Sequence, residues 1–182
     1  GHLIAKPSDA FSGRGVSVFN GNDKSAGIAA YMLAMSESRN GEALLETYAE
    51  GQLYSYSCFL DDRKVLDAVV VREDGSITPY AVDTSHVVLD FSNLANNMLQ
   101  TIAERLAVEL KLVDGLLHVQ FIWDGKRIWL IEVTRRCPGD LYPNLVELTT
   151  GWPYAGRYAS YFVNQPIRWS NSPSSRSILR HT

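Results

Sequence analysis

His118-Val119-Gln120-Phe121-Ile122-Trp123-Asp124-Gly125-Lys126-Arg127-Ile128-Trp129-Leu130-Ile131-Glu132-Val133-Thr134-Arg135-Arg136 reads as two strand-like arms around an Asp-Gly pair. Asp-Gly between apolar runs is a tight-turn signal, so Gly115–Trp123 and Arg127–Val133 are expected to form a β-hairpin. Same-side residues on adjacent strands lie close enough to share a ligand, and Gln120 and Glu132 stand on the two arms. Alternation places Glu132, Thr134 and Arg136 on one face and Ile131 and Val133 on the other, toward a core. A carboxylate in so apolar a strand is unfavourable unless it is paired or bound to a metal. Mg²⁺ takes oxygen ligands, mostly from phosphates and water and one or two from carboxylates. Glu132 with the carbonyl of Gln120 fits that need, and Arg136 would stand where charge grows on a phosphoryl group in transfer. A structural Glu–Arg ion pair at the strand end is the competing account.

Near the start of the chain, Ala5-Lys6-Pro7-Ser8-Asp9-Ala10-Phe11-Ser12-Gly13-Arg14-Gly15-Val16 is a lysine leaving a strand into a small loop. An ammonium pairs with phosphate as a point charge. Ser12 offers a hydroxyl, and Gly13 and Gly15 let backbone N–H groups approach phosphate oxygens. An ordinary hairpin with a solvated lysine explains the loop equally. A third stretch, Leu44-Leu45-Glu46-Thr47-Tyr48-Ala49-Glu50-Gly51, could offer backbone groups to an adenine edge, with Leu44, Leu45 and Tyr48 as an apolar slot; an edge strand with two glutamates explains it as well.

Other polar residues have plainer readings. His86 and His118 read as satisfied strand histidines, with no second ligand at metal spacing. Cys137 reads as packing. Asp140 lies on a loop just past Arg136 and is a weaker candidate for touching a substrate amine.

Around these stretches the pattern is strand (Leu3–Ala5), strand (Val16–Phe19), helix (about Lys24–Ser38, with Ile28, Tyr31, Met32 and Met35 on one face) and a buried strand (Ala43–Tyr48). Four strand-like runs follow, Leu53–Leu60, Lys64–Arg72, Ser76–Asp83 and His86–Leu89. Next comes a helix, about Leu94–Leu112, with Leu99, Ile102, Ala103, Leu106 and Leu110 in a stripe. After the hairpin come short helices near Asn144–Thr149 and Tyr154–Phe162. The order is α+β with mainly antiparallel strands, not alternating parallel units. At 182 residues and 46% hydrophobic, the chain supports one core or two small lobes. The expected division is 3–50, 51–165 and a polar tail over 166–182 that begins a further element. The net charge of −3 argues against a nucleic-acid surface. No apolar run reaches the roughly 18–20 residues of a membrane helix, and two distant cysteines fit reduced thiols in the cytoplasm. The Gly1-His2 start, without methionine, reads as the beginning of an excised piece.

The ordered set Lys6-Pro7…Gly13-Arg14-Gly15, Leu45–Gly51, Val119-Gln120-Phe121 and Ile131–Arg136 resembles the ATP-grasp superfamily over roughly residues 3–165. The Gln-then-Glu pair is most similar to its carbamoyl-phosphate-synthase-like branch, which includes many amino-acid ligases. The resemblance implies two α+β lobes holding ATP between them, Mg²⁺ (or Mn²⁺), and a carboxylate–amine or carboxylate–thiol ligation through an acyl phosphate. It implies small-molecule carboxylate and amine substrates; charge and hydropathy, as above, predict neither nucleic-acid nor membrane partners. By position, Lys6 would touch the phosphates, Ser12, Gly13, Arg14 and Gly15 would form a lid loop, and Glu46, Thr47, Tyr48 and Ala49 the adenine hinge. Gln120 and Glu132 would bind the metal and Arg136 would stabilise the transition state. Thr134 stands where the family often has an asparagine ligand, and Leu53 where it often has a ribose-binding glutamate. The family's amino-terminal substrate domain would precede residue 1, leaving this piece inactive alone. A catalytically silent nucleotide-binding or interaction module is the alternative.

Overall fold

A computed structural model of the chain describes residues 1–75, 80–165 and 176–181. The chain divides into two compact units, Gly1–Glu50 with Gly75–Asp83, and Gly51–Asp74 with Thr84–Thr182. The expected linear division did not assign 75–83 to the first unit.

The first unit is an antiparallel sheet in the order β2-β1-β3, from β1 (His2–Pro7), β2 (Ser17–Asn20) and β3 (Ala43–Thr47), with helix α1 (Lys24–Glu37) on one face. Asp23 caps α1, its side chain accepting from the Ala26 amide at 3.0 Å. The buried side of α1 is Ala30 and Ala34, packed on Ala5. Ile28, Tyr31 and Met32, expected as the apolar face, are exposed: small residues let the helix approach the sheet closely, and the bulky ones are turned outward. β3 is also not the buried strand expected. It is a sheet edge, and Leu44, Leu45, Glu46 and Thr47 are all exposed.

The second unit is a six-stranded antiparallel sheet in the order β8-β7-β4-β5-β6-β9. Its strands are β4 (Gln52–Asp61), β5 (Lys64–Asp74), β6 (Thr84–Val87), β7 (Gly115–Trp123), β8 (Ile128–Thr134) and β9 (Leu179–His181). Alternation divides the side chains between two layers. Tyr56, Cys58, Val70, Leu117, Val119 and Phe121 pack under helix α2 (Asn93–Glu109) through Leu99, Ala103 and Ala107. Leu110, expected in the same stripe, lies past the helix end and is exposed. On the opposite face Phe59, Val69, Val71 and Leu116 pack under α3 (Tyr142–Thr150) and α4 (Tyr154–Ser160), with Trp152 and Tyr154 edge-on to Phe59.

The β7–β8 hairpin forms where expected, and Asp124 closes it by accepting from the Lys126 and Arg127 amides at 2.7 and 2.6 Å. β8 is nevertheless an edge strand with Leu130, Ile131 and Val133 exposed. The expected burial of Ile131 and Val133 is therefore wrong: on this edge strand both side chains stay exposed. The strand expected over Ser76–Asp83 is absent at 80–83, and 76–79 lie outside the described residues. Of the expected tail, 166–175 and 182 also lie outside them, and Leu179–His181 is a strand paired to β6. Among the described residues no helix is long and apolar enough to cross a membrane.

Candidate functional site

One face of the six-stranded sheet changes character along its strands. Near α3 and α4 it is apolar; further along the same face stand Ser57 and Ser55 on β4, Glu73 on β5, His118 and Gln120 on β7, and Glu132 and Thr134 on β8. Gln120 lies directly opposite Glu132, and His118 opposite Thr134. A register shift after Gln120 leaves Ile131 as the extra residue of a bulge, and Phe121 pairs with Leu130. The bulge sets the phase of Glu132 and Thr134 against β7.

The Gln120 carboxamide donates its Nε2–H to Glu73 Oε2 at 2.7 Å. Glu73 is 5% exposed. Burial pushes its carboxyl above the ordinary range; hydrogen bonds from Ser55 and Gln120 and the charge of Arg180 pull it down, and Glu132 pushes it up. Glu132 itself is exposed and makes no hydrogen bond or ion pair among the described residues. This corrects the burial expected for β8, and the competing Glu–Arg ion pair is not formed among the described residues. Thr134 follows on the same face, and its hydroxyl accepts from the Arg136 amide at 3.4 Å. Arg136 lies just beyond the strand, exposed, with one guanidinium N–H donating to the Cys137 carbonyl. The ligand atoms this row offers are all oxygens: Gln120 Oε1, the Glu132 carboxylate and the Thr134 hydroxyl. That chemistry suits Mg²⁺ when a phosphate supplies the remaining oxygens. Among the described residues no three His, Cys, Asp or Glu side chains form a metal nest, so the row would hold a cation together with its ligand, not alone.

Beneath the row lies a buried polar network. Ser57 Oγ and His118 Nδ1 are 2.7 Å apart. The Tyr142 hydroxyl reaches Ser55 and Ser57 at 3.2 Å each, and the Tyr154 hydroxyl donates to Ser57 at 3.2 Å. Burial, and secondarily Arg136, pushes His118 down to about 4. It is a satisfied structural histidine, and the network braces β4 and β7 under Gln120.

In the first unit, alternation puts Ile4, Lys6, Leu44 and Glu46 on the sheet face away from α1. Lys6 Nζ pairs with Glu46 Oε2 at 2.5 Å. Leu45 points to the α1 side, where it lines a groove of about 430 Å³ with Leu3, Phe19, Ile28 and Tyr31. Leu44 and Leu45 therefore face opposite ways and cannot form the single slot expected. Tyr48 and Ala49 follow β3, and the Tyr48 amide is taken by the His2 carbonyl at 3.1 Å. Ser12, Gly13 and Gly15 all have positive φ, and turns close the loop from Arg14 to Phe11 and from Val16 to Gly13. A Cβ on Gly15 would lie 2.8 Å from Glu37 Cβ and 2.9 Å from Pro7 Cγ, so both space and φ demand glycine. Arg14 stacks on Phe11, 5.3 Å from the ring centre, with Arg39 at 5.9 Å.

Within the second unit the fold thus brings Gln120, Glu132 and Thr134 together with Glu73, which the sequence reading did not select. A signal was present: Val69, Val71 and Glu73 alternate, so the glutamate occupies an inward position in a buried strand. Asp140, on its loop, has an exposed side chain.

No protein-family model matches the chain, and no curated protein sequence matches it. Solved structures do. The biotin carboxylase domain of Hydrogenobacter thermophilus 2-oxoglutarate carboxylase, in complex with MgADP, ADP and bicarbonate, matches with TM-score 0.73 and 18% identity over 93% of this chain and 38% of that one. Phosphoribosylglycinamide synthetase from Anaerococcus prevotii matches with TM-score 0.67 and 19% identity over 96% and 43%. N5-carboxyaminoimidazole synthetase from Staphylococcus aureus, complexed with ADP, matches with TM-score 0.70 and 12% identity over 98% and 45%. The chain spans less than half the length of each of these structures.

Proposed function

Because the chain has the ATP-grasp fold, we propose that it is the ATP-binding core of a Mg²⁺-dependent ligase joining a carboxylate to an amine or thiol. The observation that carries this reading is the Gln120–Glu132 cross-strand pair, with free oxygens side by side on a polar sheet face. Its support from outside the chain is the nucleotide bound by structures of the same fold, ADP with magnesium in one and ADP in another.

Gln120, Glu132 and the Thr134 hydroxyl would hold the cation against phosphate oxygens. Lys6 would pair with the phosphates, exchanging the Glu46 carboxylate for them. Ser12 and the amides of Gly13, Arg14 and Gly15 would cover the phosphates, and Glu46, Thr47, Tyr48 and Ala49 would meet the base. A substrate carboxylate oxygen attacks the γ-phosphorus and ADP leaves with the bridging oxygen's electrons. The amine or thiol then attacks the acyl carbon, inorganic phosphate departs, and the nucleophile's proton is lost to solvent. Arg136 would balance charge on the phosphoryl group in flight. The acid and the amine would be recognised by the whole protein.

The test is calorimetric titration of the chain with Mg-ADP. Wild type should give saturable heat, and Glu132→Gln should weaken binding at least about tenfold. Saturable binding at unchanged affinity in that variant removes Glu132 from the site. A second reading, nucleotide binding without turnover, is favoured by Thr134 and Leu53. Phosphate release from ATP on adding amino acids to the whole protein separates the two.

A further inference from the structure

We infer that Glu73 is a positioning residue that sets which end of the Gln120 carboxamide faces the cation. The inference rests on the cation-site reading above and deepens it. A glutamine is an ambiguous ligand: rotation of its terminal amide by half a turn replaces a carbonyl oxygen, which binds Mg²⁺, with an NH₂ group, which repels it. Nothing in Gln120 chooses between the two. Glu73 does, because its carboxyl oxygen Oε2 accepts the amide N–H of Gln120. It takes Gln120 Nε2 at 2.7 Å and leaves Oε1 without a partner among the described residues.

Glu73 is itself fixed from several directions. Its strand position is locked by pairing with Ser85 on β6, and its carbonyl accepts from Gln52 Nε2 at 2.9 Å. Its carboxylate accepts from Gln120, and it is 5% exposed. Arg180, whose guanidinium donates to Ser85 Oγ at 3.0 Å, supplies nearby positive charge. A buried, hydrogen-bonded carboxylate on a strand paired at both backbone and side chain is a rigid anchor. Glu132, across the hairpin and open to solvent, has no such anchor and needs none, since its two oxygens are equivalent.

The equivalence of carboxylate oxygens supplies the test. Mn²⁺ binding to the 182-residue chain in the presence of ADP is followed by electron paramagnetic resonance, with folding of each variant checked by circular dichroism. Glu73→Met keeps the volume and removes the acceptor; Mn²⁺ affinity should fall about tenfold, as for loss of an orienting partner. Glu73→Gln keeps an acceptor oxygen and should stay within about threefold of wild type. The double variant E73M/Q120E should regain the lost affinity, because with Q120E no orientation remains to be chosen. E73M binding as tightly as wild type overturns the inference, as does a double variant no tighter than E73M.

Glu132→Gln separates this from failure of the site itself. If E132Q weakens Mn²⁺ binding and E73M does not, only the role of Glu73 falls; if neither does, the cation site falls with it. Should E73M not fold, wild type alone decides by nuclear magnetic resonance: the Gln120 side-chain NH₂ hydrogens should exchange with water more slowly than those of exposed Gln165. Equal rates overturn the inference.

Discussion

His118 shows how far a single residue's neighbours can carry its chemistry. Its imidazole is neutral in the folded chain, pushed down to about 4, chiefly by burial, with Ser57, Tyr142, Thr134 and Arg136 around it. An unfolded histidine takes its proton near 6.5. Between those values the unfolded chain binds the proton and the folded one does not, so stability from this group is complete above pH 6.5 and is lost as the pH falls toward 4. The full loss amounts to about 3 kcal/mol. Urea unfolding of wild type against His118→Asn, from pH 7.5 down to 4.5, should show the two curves converging as the pH drops; parallel curves refute the assignment. The histidine was legible in the sequence as a satisfied strand residue. Glu73 was not selected, because its acidity in a polar-looking Arg72-Glu73-Asp74 run masked the inward phase it inherits from Val69 and Val71.

At the level of elements, α4 is tied to β5 by a buried charge. Arg157 is 1% exposed, forms an ion pair with Asp67, and stacks 4.8 Å over Phe59. Its Nε has no partner among the described residues. Removing the carboxylate would strand the guanidinium, so Asp67→Ala should cost about 3 kcal/mol. The double variant D67A/R157L should recover most of it, since hydrocarbon suits this aromatic setting. Chemical denaturation of the two variants checks both values. The bounds of α1, the start of α2 and the β7–β8 hairpin followed from caps, turns and periodicity. Which side of each was buried did not follow. Periodicity weighs bulk, whereas Ala30 and Ala34 are chosen by how closely α1 must approach Ala5. The openness of β3 and β8 comes from strand order, which depends on pairings far apart in sequence.

The whole molecule combines units with unequal cores. Buried residues of the first unit's cluster are three alanines, while the second carries two large aromatic and aliphatic clusters on the two sides of its sheet. The α+β class and antiparallel character were legible because tight turns and short runs dominate the sequence. The return of residues 75–83 to the first unit was not, since no local pattern announces it. The open β8 has a further consequence. Between Arg127 and Arg135 its only charged residue is Glu132, set among Trp129, Leu130, Ile131 and Val133. An uncovered apolar edge is a template for adding another chain, and a carboxylate on it repels its own copy. Glu132 would thus act as a gatekeeper against aggregation as well as a ligand. Glu132→Ala should raise light scattering on concentration while Glu132→Lys should not, so colloidal loss in the alanine variant must be separated from loss of cation binding.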